Sequence, residues 1–181
     1  MAHRVIKPRK KRPSVNLDTS TCLHVYVYEG NQGEITQILN NKFSEYILDA
    51  RDDLGRTPLY LAACYRRNEL AKQLLGAGCD AKIPQDNGNT VLHEAVEKNS
   101  QDIVIEVLKH GASPEISDKA GLSPLFCALT EGSEKSARYM IQSGCDVNKA
   151  DSNGHTVLYT LLHSKYIKRF EQILEDLLKT G

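Results

Sequence analysis

The sequence lacks the features of a secreted or membrane protein. It contains no tryptophan and only 3 phenylalanines, and no apolar run approaches the roughly 18 residues that a membrane-spanning helix requires. The N-terminus is positively charged, but no apolar segment follows it, which excludes a secretory signal peptide. We therefore expect an intracellular protein without a membrane span that resides in the cytoplasm, the nucleus or both.

The sequence also lacks the common signatures of catalysis and metal binding. Its 5 cysteines are an odd number and widely spaced, which indicates neither a disulfide framework nor a zinc ribbon. Cys79 and Cys145 each follow a glycine at equivalent positions of the repeat, where a small buried residue is expected. The role of Cys64 and Cys127 is left open. No nucleophile elbow, glycine-rich phosphate loop or distinct carboxylate pair is present. We therefore expect no enzyme, no cofactor and no metal site.

Charge is distributed unevenly although the formal net charge is zero. Residues 1–13 contain 6 of the 23 basic residues and no acid, so the rest of the chain carries 17 basic and 23 acidic residues, a formal charge of −6. A body of that sign disfavours phosphate backbones and favours basic partners. This charge therefore argues against nucleic acid as a ligand of residues 14–181.

What the sequence does contain is a repeat with a period of 33 residues. A Thr or Ser followed two positions later by Leu opens four helix-like stretches, and a glycine precedes each opening by two residues. Such a period predicts a solenoid of one repeated supersecondary unit. The four openings read Thr57-Pro58-Leu59, Thr90-Val91-Leu92, Ser123-Pro124-Leu125 and Thr156-Val157-Leu158.

A second helix is predicted behind each opening, because apolar residues recur there at i, i+1, i+4 and i+5. In the first clear copy the stripe is Leu70, Ala71, Leu74 and Leu75. Gly78, with its equivalents at 111 and 144, is expected to end this helix in a left-handed conformation.

These motifs resemble the ankyrin repeat. The resemblance implies an all-α solenoid of helix–turn–helix pairs joined by β-hairpin-like loops, in five repeats at about 18–50, 51–83, 84–116, 117–149 and 150–181, within a domain of residues 17–181. His24 and His93 occupy the Leu-His position, which in that family is largely structural. The matching residues of the second repeat are Asp52, Gly55, Thr57, Pro58, Leu59, Ala62, Leu74, Leu75 and Gly78.

The two terminal repeats depart from the period. Repeat 1 has three extra residues before Asp52, which predicts a longer loop or an extra helical turn at residues 41–46. Repeat 5 has a four-residue insertion, and Ile167 and Phe170 continue its apolar stripe backwards. That continuation predicts one additional helical turn there.

Residues 1–16 form a basic tail with three open interpretations. Lys7, Arg9, Lys10, Lys11 and Arg12 resemble a short nuclear import signal that an import receptor would bind. A disordered, solvated tail fits the same composition. So does a nonspecific contact with nucleic acid or an anionic membrane surface.

The resemblance also implies a ligand surface on the concave side, at hairpin tips and exposed inner-helix positions. Aromatic, arginine and aliphatic residues gather in its N-terminal half, as in a binding hot spot, and glutamates give the middle an acidic character. We expect a protein or peptide partner with a basic element. The candidate contact residues are Leu54, Arg56, Cys64, Tyr65, Arg66, Asn89, Glu94, Glu97, Leu122, Glu131 and His155.

The function favoured by these observations is a non-enzymatic, monomeric interaction module that acts as a regulatory or inhibitory adaptor. One alternative is the N-terminal targeting domain of a larger enzyme, channel or ligase adaptor. Another is a nucleic-acid-associated protein that uses the basic tail. Asn148 resembles the asparagine context that an asparaginyl hydroxylase accepts in ankyrin repeats, and an ordinary hairpin asparagine is the alternative.

Overall fold

A computed structural model describes residues 22–40 and 45–180 of the chain. The first two repeats contain α1 (Cys22–Glu29), α2 (Gln32–Leu39), α3 (Glu45–Leu48), α4 (Pro58–Cys64) and α5 (Asn68–Gly76). The other three contain α6 (Val91–Glu97), α7 (Gln101–Lys109), α8 (Pro124–Glu131), α9 (Glu134–Gln142), α10 (Val157–His163), a 3-10 helix (Ile167–Phe170) and α11 (Glu171–Thr180). Within the described ranges no strand is present beyond an isolated bridge between Ala150 and Thr156, so the predicted all-α class is confirmed.

The helices stack in two layers. The inner layer consists of α1, α4, α6, α8 and α10, each of which packs against the next. The outer helices α2, α5, α7 and α9 do the same, and each also packs against the inner helix of its own repeat. The array is therefore held together by contacts between neighbouring repeats, as a solenoid requires.

Threonine hydroxyls cap the first turn of α4 and α10. The Thr57 hydroxyl accepts a hydrogen bond from the Tyr60 N–H at 3.2 Å, and the Thr156 hydroxyl does the same for Tyr159 at 3.3 Å. These bonds satisfy a backbone donor that has no partner inside the helix. Pro58 opens α4 at the first position, where no backbone donor is lost.

A tight turn precedes each of α4, α6, α8 and α10, and it explains two of the repeated glycines. Gly88 and Gly121 have φ values of +90° and +79°. A Cβ atom on either residue would lie 2.9 Å or less from the backbone nitrogen of Lys119 or Ser152 in the following turn. Only glycine therefore allows successive hairpins to approach this closely.

The core is a continuous apolar stack between the two layers. Cys79, Ala112 and Cys145 occupy the predicted small buried position, and all three are less than 10% exposed. Burial raises the pKa of the Cys79 thiol to about 12 and that of Cys145 to about 11. These thiols are protonated at neutral pH and serve as small core residues.

The described residues of both terminal insertions are helical. Of the segment at residues 41–46, the described part forms the start of α3, an extra turn at Glu45–Leu48. In repeat 5 the additional turn is the 3-10 helix that leads into α11, with Phe170 fully buried and Ile167 partly buried. Among the described residues, no helix is both long and apolar enough to cross a membrane.

Candidate interaction surface

Three of the candidate residues lie in repeat 2, near the N-terminal end of the array, and are exposed or half-buried. Leu54 lies at a hairpin tip and is 52% exposed. Tyr65 ends α4 and packs edge-to-face against Tyr28, with ring centroids 5.1 Å apart. Arg66 follows it, exposed, with a left-handed backbone at φ 53°. We refer to Leu54, Tyr65 and Arg66 as the N-terminal patch.

Arg56 is not free to contact a partner in the way the sequence suggests. Its guanidinium binds the Asp52 carboxylate, with Nη2 at 2.6 Å and Nε at 2.8 Å from Oδ2. Burial alone would raise the pKa of Asp52, but the Arg56 guanidinium and backbone N–H groups hold it below its usual value. The pair stabilises the hairpin and keeps the Arg56 side chain largely buried, so a contact between Arg56 and a partner stays a prediction.

Glu94 is buried between repeats 2 and 3 and is only 7% exposed. The Tyr60 hydroxyl donates to its Oε2 at 2.6 Å, and Lys98 Nζ lies 3.2 Å from its Oε1. Burial, together with the nearby Glu94 carboxylate, raises the pKa of the half-buried Cys64 thiol. Glu94 therefore joins two repeats, and its contact with a partner stays a prediction.

The other two glutamates remain accessible. Glu97 and Glu131 are exposed at the ends of α6 and α8. Both line a groove of about 320 Å³. Lys98 lies 2.9 Å from the Glu97 carboxylate. Asn89 is half-buried in its hairpin, where its N–H donates to Asn87 Oδ1 at 2.9 Å. The acidic character of the middle of the array thus rests on Glu97 and Glu131.

The structure brings Leu122 and His155 together with residues that the sequence analysis did not select. His155, Tyr159 and His163 stack in one column, with ring centroids 4.3 Å and 4.2 Å apart. The column lines a groove of about 490 Å³ between α8 and α10, which we call the C-terminal groove. The four-residue interval between Tyr159 and His163 was the available signal, because residues at that interval share a helix face. His155 lies two residues before α10 begins.

His24 and His93 have the structural role that the resemblance implied. Nε2 of His24 donates to the Arg56 carbonyl at 2.9 Å, and Nε2 of His93 donates to the Leu122 carbonyl at 3.0 Å. Both carbonyls belong to the hairpin of the following repeat. Burial lowers the pKa of both imidazoles.

Two further predictions concern the basic tail and Asn148. The basic residues Lys7, Arg9, Lys10, Lys11 and Arg12 lie outside the described residues. Asn148 is exposed, and its N–H donates to Asp146 Oδ1 at 2.9 Å. Its hydroxylation stays a prediction.

Comparison with known proteins agrees with this architecture. The family described as ankyrin repeats (3 copies) matches residues 3–85 and 63–151. The nuclear factor NF-kappa-B p105 subunit of Gallus gallus is 30% identical over 125 residues, which are 67% of this chain and 13% of that protein.

Neurogenic locus notch homolog protein 1 of Xenopus tropicalis is 31% identical over 138 residues, 72% of this chain and 5% of that protein. The Mus musculus protein of the same name is 36% identical over 110 residues, 60% of this chain and 4% of that protein. Ankyrin repeats are a protein-interaction fold and not a catalytic one. This chain belongs to the ankyrin-repeat family.

Proposed function

We propose that the chain is a regulatory adaptor that binds another protein through its concave side, with the N-terminal patch as the anchor. The observation that supports this most directly is the composition of the patch. It combines an exposed aliphatic side chain, a half-buried aromatic ring and an exposed arginine within one repeat. Aromatic and arginine residues dominate the energetics of protein interfaces.

The backbone of Arg66 supports the same proposal. The break between helices is left-handed in four repeats, where Gly30, Arg66, Asn99 and Gly132 stand. Glycine adopts this conformation without strain, whereas a bulky residue is disfavoured there by roughly 1 kcal/mol. Arginine at a position that favours glycine suggests that its side chain is kept for contact with a partner.

The partner that fits best has a basic element. Glu97 and Glu131 are accessible in the middle of the array, and the chain without its first 13 residues carries a formal charge of −6. Such a surface attracts a basic segment and repels nucleic acid. A partner that spans both regions would place its basic element at the two glutamates and an apolar side chain at the N-terminal patch.

A double variant, Tyr65→Ala with Arg66→Gly, tests the patch. We expect it to lose partners that the wild-type chain retains, with recovery reduced by at least about tenfold, because truncating a hot-spot residue costs more than about 1 kcal/mol. The measurement is quantitative affinity purification with mass spectrometry. Arg56 is unsuitable for this test, because its loss would leave Asp52 without its ion pair.

The matched control is Asn99→Gly, which makes the same backbone change one repeat later. Glycine relieves the strain of a left-handed backbone conformation and so does not destabilise the fold there. Unfolding would therefore not explain a loss of partner binding caused by Arg66→Gly. Asn99 lines the groove that contains Glu97 and Glu131, and the control keeps both glutamates. It should therefore retain the partners that the double variant loses. Equal recovery by the wild type and the double variant would contradict the proposal.

A second candidate is that these residues are the ankyrin portion of a larger protein. The chain spans 13% of the length of the p105 relative and 4–5% of the Notch relatives, so those proteins carry matching repeats within much longer chains. The partner-binding role of the concave side is the same in both candidates. Sequencing the native transcript beyond codon 181 distinguishes them.

For the basic tail we propose nuclear import, which gives the chain access to both cytoplasm and nucleus. We expect residues 1–16 fused to a fluorescent reporter to concentrate in the nucleus, because a Lys/Arg-rich segment binds import receptors. Replacing Lys10 and Lys11 with Ala should abolish the accumulation. A reporter that stays evenly distributed would contradict this assignment.

A further inference from the structure

Ser136 places a buried hydroxyl without a partner in the first turn of α9. The residue is 2% exposed, and its Oγ forms no hydrogen bond within the described part of the chain. A helical serine often donates to the carbonyl four residues earlier, but the Gly132 carbonyl accepts from Arg169 Nη1 at 2.9 Å. Burying a hydroxyl without a partner is unfavourable, because its hydrogen bonds to water are lost and not replaced.

Repeats 2, 3 and 5 carry an aliphatic residue at the same place. By the repeat register, Leu70, Ile103 and Ile173 correspond to Ser136, and all three are at most 4% exposed. Serine therefore reduces the apolar area that the core buries and adds an unpaired hydroxyl. Residues that weaken the fold in this way concentrate at functional sites. The surroundings of Ser136 are therefore a candidate binding site.

Ser136 lines a groove between α7 and α9, which we call the outer groove. Its volume is about 200 Å³. Val104 is fully buried there, and Ile105 and Tyr139 are half-buried, so these three side chains give the groove apolar walls. Pockets that hold whole small molecules are larger, roughly 300–1,000 Å³. The outer groove therefore has the size to accept a single side chain.

The charge of the outer groove favours an acidic side chain. Its charged lining residues are Lys135 and Arg138, and none of the described acidic residues lines it. Arg138 binds the Glu134 carboxylate at 3.0 Å, whereas Lys135 is exposed and adds a positive charge. Of the acids on α7, Asp102 accepts from a side chain of α5, and Glu106 lies 3.6 Å from an ammonium group of its own helix. The groove is thus locally cationic, although residues 14–181 carry a formal charge of −6.

We propose that the outer groove binds a glutamate or aspartate side chain of a partner protein. The methylene groups pack between Ile105 and Tyr139, while the carboxylate accepts from the Ser136 hydroxyl and pairs with Lys135. An ionised carboxylate offers only acceptors, so it satisfies the hydroxyl donor beside a cation better than an amide does. Because Ser136 is 2% exposed in the free chain, the contact requires rotation of its side chain about χ1. The site lies between outer helices and does not depend on the partner-binding role of the concave side.

Titration of the full, isotope-labelled chain with N-acetyl-L-glutamate α-N-methylamide at neutral pH, followed by NMR, tests the proposal. This probe carries the glutamate side chain between two neutral peptide groups. We expect saturable amide shifts in α7 and α9, with a dissociation constant on the order of 1–10 mM, because a single side chain supplies few contacts. The neutral glutamine derivative of the same shape should bind at least about fivefold more weakly, since it cannot pair with the lysine. Lys135→Gln should remove this preference.

Ser136→Ala removes the hydroxyl and leaves the apolar walls and Lys135 in place. It should weaken binding of the glutamate probe at least about fivefold, while its thermal midpoint stays equal to or above that of the wild type, because an unpaired buried hydroxyl is lost. Ser100→Ala is the matched control. Ser100 is also buried with an unpaired Oγ, at the start of α7, but it does not line the outer groove. This control should bind the probe like the wild type.

Three results would overturn the proposal. A wild-type chain without saturable shifts would leave an ordered water as the partner of the hydroxyl. Equal affinities for the glutamate and glutamine probes would remove the acidic specificity, and equal affinities of the wild type and Ser136→Ala would remove the role of the hydroxyl. Acetate serves as a further probe: binding as tight as that of the glutamate probe would show a free-anion effect at Lys135, which also contradicts a side-chain site.

Discussion

Replacing Leu92 with Ala is expected to destabilise the array by about 2–5 kcal/mol. Leu92 is fully buried in the middle of the stack, where α6 packs against both α4 and α8. The substitution removes apolar contacts and leaves a cavity between repeats, which have no separate cores to compensate. Urea unfolding followed by circular dichroism measures the change in free energy.

The matched control is Leu158→Ala, the same substitution at the same place in repeat 5. Leu158 is 38% exposed, so we expect a loss below about 1 kcal/mol. The substitution and its position in the inner helix are identical in the two variants. They differ in whether an inner helix packs over the leucine from the following repeat. Equal losses at Leu92 and Leu158 would show that the leucine position is stabilised within its own repeat and not by its neighbour.

This contrast explains why so much of the fold could be predicted from the sequence. Local residues mark where the helices of a repeat begin and end. A hydroxyl such as that of Thr57 caps the inner helix, and a left-handed glycine such as Gly78 ends the outer helix. The same pattern recurs in register in four copies, and the two-layer architecture follows from this recurrence. Even the insertion in repeat 5 was predictable as a helical turn, because Ile167 and Phe170 continue the apolar stripe.

The candidate surface was less predictable because exposure depends on neighbouring repeats. Glu94 and Glu97 lie on one short helix, yet Glu94 is buried by its hydrogen bond to Tyr60 in the preceding repeat while Glu97 is exposed. No repeat-by-repeat assignment of positions reveals that pairing. Arg56 differs, since Asp52 lies only four residues away and an ion pair at that spacing was open to inference.

Acidification is expected to weaken the fold between about pH 7.5 and 5.5 through His24 and His93. Both imidazoles are buried with lowered pKa values, so the unfolded chain binds more protons than the folded one below the ordinary histidine pKa of about 6.5. Their stabilisation is present above that pH and is lost as the pH falls towards the folded-state values. Urea unfolding at a series of pH values should show this decline, with a slope of at most about 1.4 kcal/mol per pH unit for each histidine.

The geometry at His93 gives the physical reason. Its Nε2–H donates to the Leu122 carbonyl, and its Nδ1 accepts from the Thr90 N–H at 3.1 Å. Protonation would place a hydrogen on Nδ1 that faces the Thr90 donor, which removes a capping bond and leaves a buried charge.

Phenylalanine is the matched replacement, because Phe126 occupies the equivalent position in repeat 4 and is buried there. The double variant His24→Phe with His93→Phe loses both hydrogen bonds to the following hairpins, so it is expected to be less stable at pH 7.5. Its free energy of unfolding should nevertheless change little with pH over the same interval. A variant that keeps the wild-type slope would assign the acid sensitivity to the exposed histidines or the carboxylates, and the buried rings would then have no part in it.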